Sequence, residues 1–130
     1  MSPCPLCGQT ESVLFSKDKE REYFRCPDCF LIFVGPNQFL SLTEEKRRYD
    51  LHENSPEDPH YRNFLNRLFL PLNKRLKPSS QGLDFGSGPG PTLSVMLEEA
   101  GHTVALYDPL YAPHPQVFEN CYDFITATEV

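Results

Sequence analysis

Two groups of residues in this chain have the types and spacing to do chemistry. Cys4 and Cys7 form one Cys-x-x-Cys pair, Cys26 and Cys29 a second, with eighteen residues between the pairs. Thiolates at that spacing can converge on one ion, the pattern of a structural zinc site. Two disulfides or four incidental thiols are the alternatives for the same residues. The second group is the run Leu83-Asp84-Phe85-Gly86-Ser87-Gly88-Pro89-Gly90-Pro91. Glycine lacks a Cβ, so a loop built this way turns tightly and lets a ligand reach its backbone. A helical pattern follows, and a helix N-terminus directs free N–H groups at the same spot. The run therefore reads as a cofactor cradle. Asp108 follows Gly90 by eighteen residues. Taken alone, an aspartate before Pro109 is a turn residue.

Two cofactor classes use a strand, a glycine loop and a helix with an acid about twenty residues on. Dinucleotide folds carry Gly-x-Gly-x-x-Gly. Gly86 and Gly88 fit that pattern, but Pro91 stands where the third glycine belongs. The pattern present is Asp84-x-Gly86-x-Gly88-x-Gly90. It resembles motif I of the class I S-adenosylmethionine-dependent methyltransferases, in which an acid precedes alternating glycines. The resemblance implies that the backbone of Phe85, Gly86, Ser87, Gly88 and Gly90 lies along the methionine part of the cofactor. Asp84 is then near the amino group, often through water. Asp108 takes the place of the acid that hydrogen-bonds both ribose hydroxyls, since a carboxylate can accept two such bonds. Pro109 stiffens the turn after it.

The resemblance extends along nearly the whole chain. Cys-Pro-x-Cys-Gly at the start, Tyr49-Asp50-Leu51-His52-Glu53-Asn54, Asp58-Pro59-x-Tyr61, Tyr107-Asp108-Pro109 and the closing Thr126-Ala127-Thr128-Glu129-Val130 look like a bacterial group of methyltransferases with an N-terminal zinc ribbon. In that group aromatic residues before motif I help to cover the cofactor, which makes Tyr49 and Tyr61 candidates. Packing is their other reading, and Tyr61 already lies on an apolar helix face. Thr126 to Glu129 would form motif IV, with Glu129 able to face cofactor or acceptor. Methyl transfer from a sulfonium is an in-line displacement that needs mainly alignment and exclusion of water. No catalytic residue is assigned, and the acceptor is not readable.

These residues need elements to position them. Glu22–Arg25 and Phe30–Val34 read as short strands between and after the cysteine pairs. A ribbon of this size cannot bury enough core to fold unaided, and Zn–S bonds would supply the missing stability. Ser41-Leu42-Thr43-Glu44 is a capping-box pattern opening a helix to about Leu51. Asp58 caps a second helix with Pro59 in its first turn. Tyr61, Phe64, Leu65, Leu68, Leu72 and Leu76 mark its apolar face, and Pro71 should kink or interrupt it. Leu83–Phe85 is a buried strand, Pro91–Glu99 a helix stopped by Gly101, and Thr103–Tyr107 a second strand. Tyr122–Thr128 is a third, beginning near a structural Asp123. The expected fold is α/β: a zinc ribbon over 1–35, a helical connector over 36–80, and part of a Rossmann-like S-adenosylmethionine-binding domain over 81–130.

Charge sharpens the cofactor reading. The chain has 130 residues and a net charge of −6, which does not support a broad nucleic-acid footprint. Residues 81–130 hold seven acidic side chains and no lysine or arginine. That suits a ligand with a positive centre and disfavours one rich in phosphate. No apolar run approaches the ~20 residues of a membrane span, and the start lacks the basic and apolar regions of a signal peptide. A cytoplasmic setting with reduced cysteines is expected. Cys121 and the four histidines show no ligand spacing. About three strands fit after the ribbon and helices, whereas the resembled fold winds seven. The expectation is therefore an amino-terminal portion of a methyltransferase, or a shortened relative, with a sheet edge open to self-association. The rival readings are a non-catalytic module acting through a protein partner and a nucleotide-dependent oxidoreductase.

Overall fold

The computed structural model describes residues 2–52 and 54–128. Contacts divide the chain into two units, Met1–Ser41 and Leu42–Val130.

The first unit is a three-stranded antiparallel sheet in the order β1-β2-β3, with β1 at Val13–Lys17, β2 at Glu22–Arg25 and β3 at Ile32–Val34. β2 matches the sequence reading and β3 is its shortened form. β1 is additional. Its residues are exposed throughout, so no alternation of apolar and polar side chains announces it; only the run Val13-Leu14-Phe15 hints at a strand. Phe24 and Phe33 face each other across β2 and β3 with ring centroids 6.3 Å apart. The core of this unit is small, with Cys4, Ser12, Cys26 and Gly35 the buried residues among those described.

The second unit opens with two helices, α1 at Leu42–Tyr49 and α2 at Pro59–Asn73. Asp58 caps α2 by accepting a hydrogen bond from His60 N at 2.8 Å, and Pro59 occupies the first turn. α2 runs through Pro71 rather than breaking there and stops two residues later. Near the end of a helix the missing N–H forfeits one bond without disturbing later turns. The side chain of Arg75 then donates to Pro71 O at 2.9 Å.

A parallel sheet follows. β4 is Gln81–Phe85, β5 Thr103–Tyr107 and β6 Phe124–Thr126, with α3 at Thr92–Glu99 between β4 and β5. α3 ends in a Schellman arrangement, with His102 N bonded to Leu97 O at 3.1 Å and Gly101 N to Glu98 O at 3.0 Å. Strand order is β5-β4-β6. Register places Gly82 beside Val104 and Phe124, and Leu83 beside Ala105 and Ile125. Phe124 packs with Leu65 of α2 and Leu93, Met96 and Leu97 of α3 in one buried cluster. The opposite face carries Phe85, Tyr107 and Phe118, the last from a 3-10 turn at Pro115–Glu119; Tyr107 and Phe118 centroids are 4.5 Å apart. This mixed α/β architecture, with a cysteine cluster in the N-terminal unit, agrees with the fold class expected from sequence. Among the described residues no helix is long and apolar enough to cross a membrane.

Candidate functional site

The two cysteine pairs build one cluster from two matching turns. Cys4 N bonds to Gln9 O at 2.8 Å and Gly8 N to Cys4 O at 2.9 Å. Cys26 N bonds to Leu31 O at 2.9 Å and Phe30 N to Cys26 O at 3.2 Å, the same pattern on the second pair. Gly8 and Phe30 hold equivalent positions, both with positive φ, 79° and 62°. The four sulfurs lie within 4.8 Å of one another, with Cys4–Cys29 and Cys7–Cys26 at 3.5 Å. Ligands about 2.3 Å from a tetrahedral centre stand about 3.8 Å apart, so the sulfur spacing fits a metal ion.

The ionisation of these thiols shows what a bound cation would relieve. Burial opposes ionisation of Cys4, but the backbone N–H groups of Cys7 and Leu6 and the neighbouring thiols outweigh it and bring the group down to about 7. The Leu31 N–H favours the Cys29 thiolate, yet burial and the other cysteines push that thiol up to about 12. Negative charge on one sulfur suppresses it on the next, and a bound cation removes the conflict.

The second site lies at the carboxyl end of β4. The chain leaves β4 for β5 on one side and reaches β6 on the other, so this end is a topological switch point, where open α/β sheets bind ligands. Gly86 and Gly88 turn the loop with φ of 72° and 67°. Three of its N–H groups are already engaged: Gly86 N and Ser87 N donate to Tyr107 O at 2.8 and 3.1 Å, and Gly88 N to Asp108 Oδ2 at 2.9 Å. Asp108 is 9% exposed. Its Oδ1 accepts from Leu110 N at 2.8 Å and Tyr111 N at 3.1 Å. The carboxylate thus knots the glycine loop to the turn after β5, which closes on itself through paired Asp108 and Ala112 backbone bonds.

Beside this knot is a cavity of about 370 Å³. Phe85, Gly86, Ser87 and Gly88 line it from the glycine loop, and Tyr107, Asp108 and Pro109 from the end of β5. Tyr49 and Tyr61 contribute from the helices. The lining contains the carboxylates of Glu45 and Asp108 and no lysine or arginine. Ser87 Oγ is buried without a hydrogen-bond partner, so a polar ligand atom here would satisfy it.

Of the sequence-proposed residues, Asp84 and Gly90 are not on the cavity wall. Asp84 is 3% exposed and accepts a 2.8 Å bond from Thr126 Oγ1. Burial raises its carboxyl above the ordinary value, against the pull of that hydroxyl. Gly90 faces the connector between α1 and α2: a Cβ there would stand 2.2 Å from Asn54 O. The same carbonyl accepts from Thr92 Oγ1 at 3.1 Å. Glu129, a candidate from the fourth motif, lies outside the described residues.

Sequence reading did not select Glu45, His52, Asn54 or Thr128, which also line the cavity. Helical spacing places Glu45 and Tyr49 on one face of α1, but nothing local says what that face meets.

The model of a protein family described as a methyltransferase domain matches residues 56–130, more than half of the chain. No curated protein and no solved structure matches it.

Proposed function

The chain belongs to the methyltransferase domain family, and from that premise we propose that its cavity binds S-adenosylmethionine for transfer of the methyl group to an acceptor outside the described site. The observation that carries this reading is the fate of the loop N–H groups. Gly86, Ser87 and Gly88 all donate to protein oxygens, so this loop offers no row of free donors to a pyrophosphate. A nicotinamide dinucleotide would lose its main anchor. The carboxylates and aromatic rings of Glu45, Asp108, Tyr49, Tyr61, Phe85 and Tyr107 suit a cationic sulfonium beside π-faces.

Bound there, S-adenosylmethionine would supply a methyl group already activated on sulfur. The chain's own contribution is alignment and exclusion of water. Gly86 and Gly88 let a ligand lie against the loop. Asp108 holds the turn and accepts from a ribose hydroxyl. With three backbone N–H groups already on its oxygens, one acceptor direction of about four remains. Pro109, Tyr49 and Tyr61 wall the cavity. Asp84, Gly90 and Thr126 act from behind the loop, and Asp84 reaches an amino group only through an intervening water. For the first unit we propose that Cys4, Cys7, Cys26 and Cys29 hold a structural zinc ion. The donor set and sulfur spacing support zinc.

Isothermal calorimetry of the full chain with S-adenosylmethionine, S-adenosylhomocysteine and NAD tests the cofactor. The expected result is binding of the first two and none of the third. No heat from either sulfur ligand at millimolar concentration, or tighter binding of NAD, overturns the reading.

A further inference from the structure

α1 forms part of the cavity wall without placing a side chain in the core. It is one of three α-helices among the described residues, and it buries no residue. Glu45 and Tyr49 on one face reach the cavity, while the rest of the helix is exposed. It also precedes the stretch matched by the family model. A helix this short, without an apolar face in a core, is marginal by itself. Polar contacts can add the fixing that a core would supply.

One such contact comes from a side chain in the turn after β5. Tyr111 Oη donates to Asp50 Oδ1 at 2.5 Å, and Lys46 Nζ donates to Asp50 Oδ2 at 2.8 Å. Lys46 also lies over the Tyr111 ring, 5.1 Å from its centroid. Three groups thus close one small network at the end of α1. Its other end runs into the cavity floor, because Tyr111 N donates to the Asp108 carboxylate.

We propose that Tyr111 is a positioning residue: its hydroxyl, through Asp50, latches α1 as a removable cover over the cavity and ties that cover to the carboxylate at the cavity floor. With the latch made, Glu45 and Tyr49 close over the ligand. With it broken, α1 has no buried side chain to hold it and the cavity opens. The Asp50 carboxylate is held below its ordinary range by Lys46 and Tyr111, and Tyr111 is pushed up to about 12 by burial and by Asp50, so the pair keeps its charged acceptor and protonated donor at neutral pH.

The identity of the ligand rests on the function proposed above; the latch does not. The test is limited trypsinolysis of the full, ligand-free chain, because α1 carries Lys46, Arg47 and Arg48. Tyr111→Phe keeps the ring and removes the hydroxyl. Cleavage at these sites is expected to accelerate at least fivefold in Y111F, and likewise in Asp50→Ala, while cleavage at Arg62 and Arg67 of α2 stays at the wild-type rate. Equal rates at 46–48 in wild type and Y111F would overturn the latch. So would a rise shared equally by α2, since that is general unfolding. S-adenosylhomocysteine calorimetry on the same proteins separately decides the ligand: Y111F is expected to bind at least threefold more weakly through faster dissociation.

Discussion

Asp108→Asn is the substitution on which the geometry speaks most directly. The carboxylate accepts from three backbone N–H groups, Gly88 on one oxygen and Leu110 and Tyr111 on the other. An amide of the same shape has one oxygen, so its NH₂ must face at least one of these donors. The less costly flip keeps Leu110 and Tyr111 and gives up Gly88. That removes one hydrogen bond to a charged acceptor, worth about 1.5–3 kcal/mol, and weakens two others. Asp108 is 9% exposed, so solvent replaces little of this. A net loss of about 2 kcal/mol lowers the melting temperature by roughly 10 °C for a unit of this size. The loss appears in the absence of any ligand, which separates holding the loop from holding a cofactor. Differential scanning calorimetry of ligand-free D108N is the assay, with S-adenosylhomocysteine titration as the second readout. A melting temperature within about 2 °C of wild type would refute the claim that this carboxylate ties the loop to the turn.

Further outcomes follow from neighbouring residues. Burial raises the Asp84 carboxyl above its ordinary 3.8. The folded state therefore holds this proton more tightly; the stabilisation is present below 3.8 and lost as pH rises through the folded value. Asp84→Asn is expected to melt higher at neutral pH and to flatten that pH dependence, while weakening S-adenosylhomocysteine binding. Thr126→Val removes the hydroxyl donor to Asp84 and should lower stability by about 1–3 kcal/mol in urea titrations. Gly90→Ala places a Cβ 2.2 Å from Asn54 O; backbone must move, and a cost of about 1–3 kcal/mol should appear in the melting temperature and in ligand affinity. Removal of metal by a chelator should change thiol counts. Of five cysteines, exposed Cys121 alone should react quickly in the zinc-loaded chain, and all five after chelation. Rapid reaction of all five before chelation contradicts a metal-bound cluster.

Much of this molecule was legible in its sequence because the signals are local. Two Cys-x-x-Cys turns need only their own backbone bonds to aim their sulfurs. Asp58-Pro59 opens a helix through contacts within two residues, and Gly101 closes α3 through bonds back into its last turn. Thr103–Tyr107 reads as a strand from its own side chains, and its observed bounds are the same. Pro71 does not interrupt α2, because its local penalty depends on how many helical residues follow it, which sequence around it does not set. β1 was missed because a strand exposed throughout has no face to pattern.

What tertiary structure alone decided is which distant groups share a site. The glycine loop was visible as a cradle, but the partners of its N–H groups are Tyr107 O and the Asp108 carboxylate, one strand away in the sheet. That pairing separates a phosphate-holding loop from one whose donors are spent. Gly90 looked like a third cofactor contact; the fold turns it toward Asn54, thirty-six residues earlier. Tyr111 carried no motif at all, and it acquires a role only because the turn around Asp108 brings it to Lys46 of α1 and to Asp50 just after that helix. Spacing and chirality within a few residues determine turns, caps and metal-ligand pairs. Strand order and the close approach of remote segments come from burying the whole apolar surface at once, and they chose the walls of the cavity.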